Sequence, residues 1–268
     1  MKSTFAYFVL LFGVILINGC NNDKNPIVNN SQNSSISNET NLPELDPGKM
    51  LVRLYNDNGA LIKEEIINQP DRSKFAKATL TNAVTPTYYP YTYIMPQLAV
   101  SVNFHNNDNA SMQIASHYAN TTVYIGGGVS YQMGPGNVLW IYPAMGGTPV
   151  SSTQPIQVSA SSNITGYIHQ MTLLPLAISG NTFRVPPLEG TTTPIWVSIA
   201  AFNNGTTVSG PNTWNLGANQ TTYFQAYPGT LIQANQHISV VAFVSTAVNN
   251  GRAATCIPLD VSTGIAAE

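Results

Sequence analysis

The chain has little charge, and the charge is unevenly distributed. Asp, Glu, Lys and Arg make up 8% of the 268 residues, against ~25% in a typical globular domain. Ten of them lie between Lys49 and Lys77, and six lie in the whole stretch from Ala78 to Glu268. The formal net charge is −2, so the basic surplus of a nucleic-acid-binding protein is missing. A surface this neutral fits packing against protein, glycan or an envelope layer.

Catalytic and metal-binding signatures are absent as well. The sequence has no G-x-S-x-G turn and no H-E-x-x-H pair, the signatures of nucleophile-elbow hydrolases and zinc proteases. An enzyme would need His105 or His117 to meet Asp108 in a cleft. The remaining candidates have ordinary structural interpretations. His169 and His237 are expected to be solvated or hydrogen-bonded histidines on strands, and Glu189, Asn106–Asn109 and Gly126–Gly128 are expected to lie in loops or turns. The sequence therefore predicts no enzyme, no cofactor and no metal site.

The N-terminus carries an export signal. Lys2 precedes an unbroken apolar run from Phe5 to Ile17, a length that suits a signal peptide and is too short to span a bilayer. The run ends in Ile17-Asn18-Gly19-Cys20, which resembles the lipobox of bacterial lipoproteins, with Asn18 in place of the usual small residue. The resemblance covers residues 1–20 only. It implies cleavage before Cys20 and a lipid anchor on Cys20. Because Asn21 rather than Asp follows Cys20, it also implies the outer membrane.

The segment after the lipobox reads as a tether. Asn21 to Gly48 is rich in Asn and Ser and has no aromatic residue, a composition that cannot bury enough surface to fold. A flexible chain of this length spans roughly 30 Å. If Cys20 carries lipid, Cys256 is left alone, and its apolar neighbours in sequence favour a buried thiol over an intermolecular bridge.

The rest of the chain is predicted to be all-β, of the β-sandwich type. Strand-like runs at 50–55 and 60–67 flank Asn56-Asp57-Asn58-Gly59, which favours a hairpin, although 61–67 could also form a short helix. Residues 86–96 contain three prolines, which exclude a helix and a central strand. Period-two alternation recurs at 98–105, 195–202 and 238–244. The predicted organisation is a signal peptide at 1–19, a lipidated tether at 20–48, a hairpin and Tyr/Pro-rich connector at 49–95, a sandwich-like domain at 96–190 and a second sandwich-like half at 191–268.

Two pairs of similar segments suggest an internal duplication. The segments around Ser101 and Ser198, and around Ala119 and Ala218, resemble each other at a spacing of about a hundred residues. The alternatives are two tandem sandwiches or one larger sandwich whose Asn/Thr-rich strands resemble one another by composition.

Aromatic residues set among Asn, Gln and Thr are the remaining functional lead. Such rings stack on sugars and are enriched at protein interfaces, although they also fill sandwich cores. Trp196 lies out of phase with Ile195, Val197 and Ile199, so we expect it to point away from that apolar face. The candidate ligand or interface aromatics are Trp140, Trp196, Trp214, Tyr88, Tyr89, Tyr91 and Tyr93.

These features favour a non-catalytic outer-membrane lipoprotein. It would act as a structural or protein-binding subunit of an envelope assembly, such as a secretion-machine collar, with other envelope proteins or itself as partner. The first alternative is a glycan-binding or adhesive module. The second is an oligomeric pore former, for which the Ser/Thr-rich stretch 150–165 is the only candidate hairpin.

Overall fold

The computed structural model describes residues 42–69, 91–98, 110–126, 128–164, 167–188, 193–244 and 253–259. These residues form an all-β fold, as predicted, with one short 3-10 helix at Leu176–Ile178. The strands are β1 Lys49–Tyr55, β2 Leu61–Asn68, β3 Tyr91–Ile94, β4 Ala110–Ser116, β5 Thr121–Ile125, β6 Val129–Met133, β7 Val138–Tyr142, β8 Pro149–Ser152, β9 Ile156–Ile164, β10 Tyr167–Thr172, β11 Gly180–Arg184, β12 Ile195–Ala201, β13 Thr206–Ser209, β14 Thr213–Leu216, β15 Thr221–Ala226, β16 Leu231–Phe243 and β17 Ala253–Thr255.

The strands form three sheets, and every pairing between them is antiparallel. Sheet A has the order β10-β9-β4-β7-β1-β2, and sheet B has the order β3-β8-β5-β6. Sheet C has the order β14-β13-β16-β12-β15, with β11 and β17 also paired to β16. One apolar core lies between sheets A and B, and a second lies within sheet C. The predicted strand at 98–105 falls almost wholly outside the described residues.

The predicted hairpin at the start of the domain is confirmed. β1 and β2 pair from Lys49 with Asn68 to Tyr55 with Leu61, so residues 61–67 do not form a helix. The turn is closed by Gly59 N–H donating to the Asn56 carbonyl at 3.0 Å, and Gly59 has a φ of +76°. This is a turn with glycine in the left-handed region, a position that other residues rarely adopt.

The end of the predicted connector forms a strand, β3, at the edge of sheet B. Its position agrees with the prolines, which exclude a helix and a central strand. β3 begins directly after Pro90 and is followed by Pro96, and among the described strands of sheet B it pairs with β8 alone. β3 and β11 lie just before the predicted domain boundaries at residues 95 and 190, and each pairs with a strand that follows it.

The alternation predicted for β12 and β16 is confirmed, and both faces of these strands are used. Ile195, Val197 and Ile199 lie in the core of sheet C together with Ile238 and Val240. The opposite face carries Trp196, Val241 and Phe243 into the core between sheets A and B. Trp196 therefore points away from the apolar face of its own strand, as its phase predicts.

The duplication is visible in the pairing pattern. β4 lies between β7 and β9, and β12 lies in the same way between β15 and β16. β5 pairs with β6 and β8, and β13 pairs with β14 and the first part of β16. β3 matches β11, and β10 matches β17. The long strand β16 thus combines the roles of β8 and β9, and residues 91–173 and 182–256 are two copies of one topology.

Local hydrogen bonds repeat along with the topology. Thr121 Oγ1 donates to the Tyr118 carbonyl at 2.8 Å, and Thr206 Oγ1 donates to the Asn203 carbonyl at 2.7 Å. Both threonines are fully buried and belong to matching segments, Asn120-Thr121-Thr122-Val123 and Gly205-Thr206-Thr207-Val208. The repeat therefore has a spacing close to 85 residues. The predicted spacing of about a hundred is wrong, because Asn/Thr-rich segments match each other in more than one register.

The two halves share buried contacts. Ile94 in sheet B packs against Ala200 and Phe202 of the second half. The Gln97 amide donates to Ser198 Oγ at 3.0 Å, and Ser198 is fully buried. Together with Val241 and Phe243 in the first core, these contacts join the halves by apolar packing and by satisfied polar groups.

The interpretation of residues 150–165 as one hairpin is wrong. Its described part spans β8 and β9, which belong to different sheets. β9 is an interior strand of sheet A, between β10 and β4. The alternation arises because each strand has one face toward the core.

Candidate interaction site at the edge of sheet A

The most exposed apolar strand of the described residues is β2. Leu61, Ile62 and Ile66 expose 51%, 55% and 54% of their surface. Among the strands that the structure describes, β2 is the last of sheet A and pairs with β1 alone. An open edge that carries aliphatic side chains can accept a strand from another protein.

The backbone of β2 is oriented for such an addition. The Gln69 amide donates to the Gly48 carbonyl at 2.7 Å, which fixes the alternation of the antiparallel ladder. By that alternation, the peptide groups of Glu64, Ile66 and Asn68 point away from β1. The outer side of β2 therefore presents a regular series of donors and acceptors.

On the inner side of β2, Lys63 and Glu65 contact Tyr131 of sheet B. Lys63 Nζ lies 2.7 Å from Glu65 Oε2 and 5.2 Å from the ring centre of Tyr131, and the Tyr131 hydroxyl donates to Glu65. The hydrogen bond from Lys63 and then that from Tyr131 lower the pKa of Glu65. Burial, followed by the hydrogen bond to Glu65, raises the pKa of Tyr131. This network holds β2 in the sheet while its other face stays exposed.

The outer face beside β2 carries a small aromatic cluster. Trp140 and Tyr142 of β7 stack with ring centres 5.6 Å apart and planes 2° apart. The Arg53 guanidinium lies 5.6 Å from the Trp140 ring centre and pairs with Glu64 at 2.7 Å. Leu42 and Leu45 pack on the cluster. The chain before β1 therefore covers part of this face.

A cleft of about 410 Å³ opens at the end of this cluster. It is lined by Leu42, Pro43, Leu45, Asp46, Pro47, Gly48, Lys49, Gln69, Tyr142, Pro143 and Met145. Of the described residues in the lining, Tyr142 alone is aromatic. The cleft therefore offers an amphipathic wall with one ring and a few polar groups.

The aromatic residues predicted as ligand or interface positions are dispersed over the fold. Trp140 is 5% exposed and belongs to the outer cluster. Trp196 is half-buried, with its ring centre 5.8 Å from that of Tyr223, and Trp214 stacks on Phe224 at 4.5 Å. Tyr93 is buried and donates to the Ile156 carbonyl at 2.6 Å. The remaining predicted positions are Tyr91, which is half-buried on β3, and Tyr88, Tyr89 and Cys20, which lie outside the described residues.

The structure brings together no set of predicted catalytic residues within its described part. His117 is exposed, and His237 lies 3.5 Å from Ser179 Oγ. The positions of His105, Asp108, Asn106–Asn109 and Glu189, and the side chain of His169, lie outside the description. Among the described residues, no group of three His, Cys, Asp or Glu side chains could hold a metal ion. Gly126 and Gly128 lie in the turn between β5 and β6.

Sequence reasoning placed Ile62 and Ile66 in a hairpin but did not identify them as a site. The available signal was that the strand carries aliphatic residues at both ends, around Lys63, Glu64 and Glu65. A strand with one buried face needs only alternate apolar residues. Tyr142 was missed too, because only folding places it beside the chain before β1.

The buried thiol was predicted and is confirmed. Cys256 is unpaired and 2% exposed, and it lies in the core of sheet C. Burial raises its pKa to about 12. The thiol is therefore a small core group rather than a reactive one.

Comparison with known proteins identifies no family. No family model matches the chain, and no curated protein matches its sequence. Within the described residues, no helix is both long and apolar enough to cross a membrane.

Proposed function

We propose that the protein is a non-catalytic lipoprotein of the outer membrane that binds other envelope proteins through the edge strand β2. The observation that carries the proposal is the open edge of β2 with its half-exposed Leu61, Ile62 and Ile66. A subunit of a larger outer-membrane assembly would use such an edge to extend its sheet into a partner.

The lipobox and the tether support the envelope location. Lipid on Cys20 would hold the chain at the membrane, and several acyl chains anchor a protein stably. The predicted tether is too long at its end, because Leu42 and Leu45 pack on the fold. The 21 residues from Asn21 to Asn41 would still let the β domain meet its partner away from the bilayer. Fatty-acid labelling of the protein in its own cells, lost in a Cys20→Ser variant, tests the anchor.

The protein-binding role is tested by extracting the native protein from its own cells with mild detergent. We expect it to migrate far above its mass of 28.8 kDa with specific companion proteins. Ile62→Lys and Ile66→Lys should release these companions, because each places a charge where the partner strand would pack. Ile178→Lys is the matched control, since Ile178 is 49% exposed and lies outside β2.

Migration as a lone monomer would remove the support for an assembly role. Companions that remain bound to both β2 variants would show that binding occurs elsewhere. Circular dichroism of each variant should match the native protein, because the substituted side chains are half-exposed.

The second candidate function is glycan binding, favoured by the cleft beside Tyr142. A single ring with Gln69, Lys49 and Asp46 nearby is a minimal version of a sugar site, in which a ring stacks on the sugar face. Binding on a glycan array that is lost in Tyr142→Ala and kept in Ile66→Lys would favour this function over strand addition.

A further inference from the structure

The sequence of β2 is complementary to its own reverse about Glu64. On either side of Glu64 lie Lys63 and Glu65, which carry opposite charges, and beyond them lie Ile62 and Ile66. In an antiparallel pair, one strand runs in reverse relative to the other. Two copies of β2 therefore set aliphatic residues opposite aliphatic residues and a cation opposite an anion.

The backbone allows this pairing in a defined register. The peptide groups of Glu64 and Ile66 point away from β1, and no described strand pairs with them. In an antiparallel pair, residues whose peptide groups face each other exchange two hydrogen bonds. With Glu64 opposite Glu64 of a second copy, the outward-pointing groups meet. Ile62 then lies opposite Ile66, and Lys63 lies opposite Glu65.

Charge selects this register over its neighbours. A two-fold pairing centred on Lys63 or on Glu65 places that residue opposite its own copy, and like charges directly opposite each other are destabilising. A pairing centred on Ile66 leaves both charged residues opposite uncharged ones. Of these centres, only Glu64 sets Lys63 opposite Glu65.

The like charges at the centre of this register are already compensated. Arg53 Nε lies 2.7 Å from Glu64 Oε2 of the same chain, and the Arg53 side chain is 14% exposed. Each copy therefore brings an ion pair, rather than a lone carboxylate, to the two-fold axis.

On the inner face, the pairing extends an existing ion pair. Lys63 Nζ lies 2.7 Å from Glu65 Oε2, and the two side chains are 51% and 28% exposed. The second copy adds another Glu65 across from Lys63. Four charges of alternating sign, two from each copy, then lie side by side.

The same charges limit which partners fit. Charged side chains on an edge strand normally deter pairing, and charged residues make up only 8% of the chain. Lys63, Glu64 and Glu65 are consecutive, so a strand with another charge pattern leaves some of them unpaired or repelled. Unfavourable contacts with other strands are a general source of specificity, and the chain itself carries the matching pattern.

We propose that the partner at β2 is a second copy of the chain, and that the two β2 strands pair antiparallel with Glu64 opposite Glu64. Sheet A then continues through both copies about a two-fold axis. Such a contact is isologous and closes at two copies. The proposal rests on the proposed function, because it names the partner of the same edge.

The test is sedimentation equilibrium of residues 20–268, carrying Cys20→Ser so that no lipid is added. A concentration series across the micromolar range should show a monomer–dimer equilibrium. Lys63→Glu and Glu65→Lys should each weaken the dimer about tenfold or more, because each sets like charges opposite each other on both sides of the axis. An equimolar mixture of the two variants should regain the native affinity, since each variant then faces the opposite charge.

Recovery in the mixture separates strand pairing from a merely loosened β2. Each variant also breaks the ion pair between Lys63 and Glu65 within its own chain, and mixing does not restore that ion pair. Arg184→Glu is the matched control. It reverses an exposed charge on β11 and should leave the dimer unchanged.

Three results would overturn the proposal. The native chain could stay monomeric at every concentration, both variants could dimerise as well as the native chain, or the mixture could gain nothing over its components. A monomeric chain would mean that the edge of β2 takes a strand from another protein or from a part of the chain outside the described residues.

The proposed function fails by a different result. If the purified chain is monomeric, companions that Ile66→Lys releases from the detergent extract still support partner binding at β2. If the purified chain dimerises with the expected charge dependence and the extract contains no larger species, self-pairing stands and the wider assembly is removed.

Discussion

Replacing Gly147 by alanine should destabilise the protein far more than the same change at Gly229. The two glycines hold equivalent turns, since Gly147 donates to the Met95 carbonyl and Gly229 to the Val185 carbonyl, both at 2.8 Å. Their φ angles are +87° and +84°. The difference lies in their surroundings. A Cβ on Gly147 would overlap the carbonyl oxygen of Asn219, whereas a Cβ on Gly229 has nothing within 4 Å.

The expected losses of stability follow from two costs, backbone strain and overpacking. A left-handed conformation costs an alanine about 1–2 kcal/mol, and this cost is common to both sites. Overpacking adds about 1–3 kcal/mol, and it applies to Gly147 alone, where the two halves meet. We therefore expect a loss of about 1–2 kcal/mol in the free energy of unfolding for Gly229→Ala and about 2–5 kcal/mol for Gly147→Ala.

Urea denaturation of residues 20–268 with Cys20→Ser, followed by tryptophan fluorescence and circular dichroism, measures both values. Equal losses for the two variants would refute the reasoning, because they would mean that the halves do not approach each other at Gly147. A loss for Gly147→Ala confined to a separate transition would show that the halves unfold independently. That result would contradict the shared core formed by Val241 and Phe243.

Three further predictions concern ionisable groups. Cys256 should react with a thiol reagent at neutral pH only as the protein unfolds, because burial raises its pKa to about 12; prompt labelling of the folded protein would contradict this. Burial, and then the nearby Tyr91, raise the pKa of Tyr93 to about 12, so its contribution to stability should be intact below pH ~10 and lost as the pH rises from there toward 12. Tyr93→Phe should flatten that alkaline loss in the free energy of unfolding. The pKa of Glu65 is lowered by Lys63 and then by Tyr131, so the contribution of Glu65 to stability is present above pH ~4.3 and is lost as the pH falls below that value. Glu65→Gln should therefore flatten the acid side of the curve of unfolding free energy against pH. An unchanged acid slope would argue against the network of Lys63, Glu65 and Tyr131.

The parts of the fold that follow from local sequence were predictable. Alternation in β12 and β16, the turn at Gly59 and the prolines around β3 each depend on a few neighbouring residues, and each is confirmed. The alternation of side chains along β12 also predicted that Trp196 points away from Ile195, Val197 and Ile199. What it would meet there could not be predicted, because its contact with the first core depends on how the two halves pack.

The candidate site depends on non-local pairing, for which the sequence carries only an indirect signal. The charged residues in the middle of Leu61–Asn68 are typical of an edge strand, but whether the strand lies at an edge depends on which strands meet β1 from elsewhere in the chain. The repeat was obscured for a related reason. Two matched turns use different residues for one backbone conformation, Gly136 at a φ of +76° and Asn219 at +61°, so equivalent positions differ in sequence where the geometry is the same.

Duplication also explains why the exposed apolar residues are unevenly distributed. When two copies of one sandwich are stacked, each begins with the same two outer faces, and stacking covers one face of each. The two faces that stacking leaves uncovered differ in their side chains. The first half has serines at Ser111, Ser159 and Ser161 and is joined by the β1–β2 hairpin, whereas the second half keeps aliphatic residues on its outer side. Among the described residues, the half-exposed aliphatic side chains of these outer faces therefore lie on the second half and on β2 rather than at the serine positions.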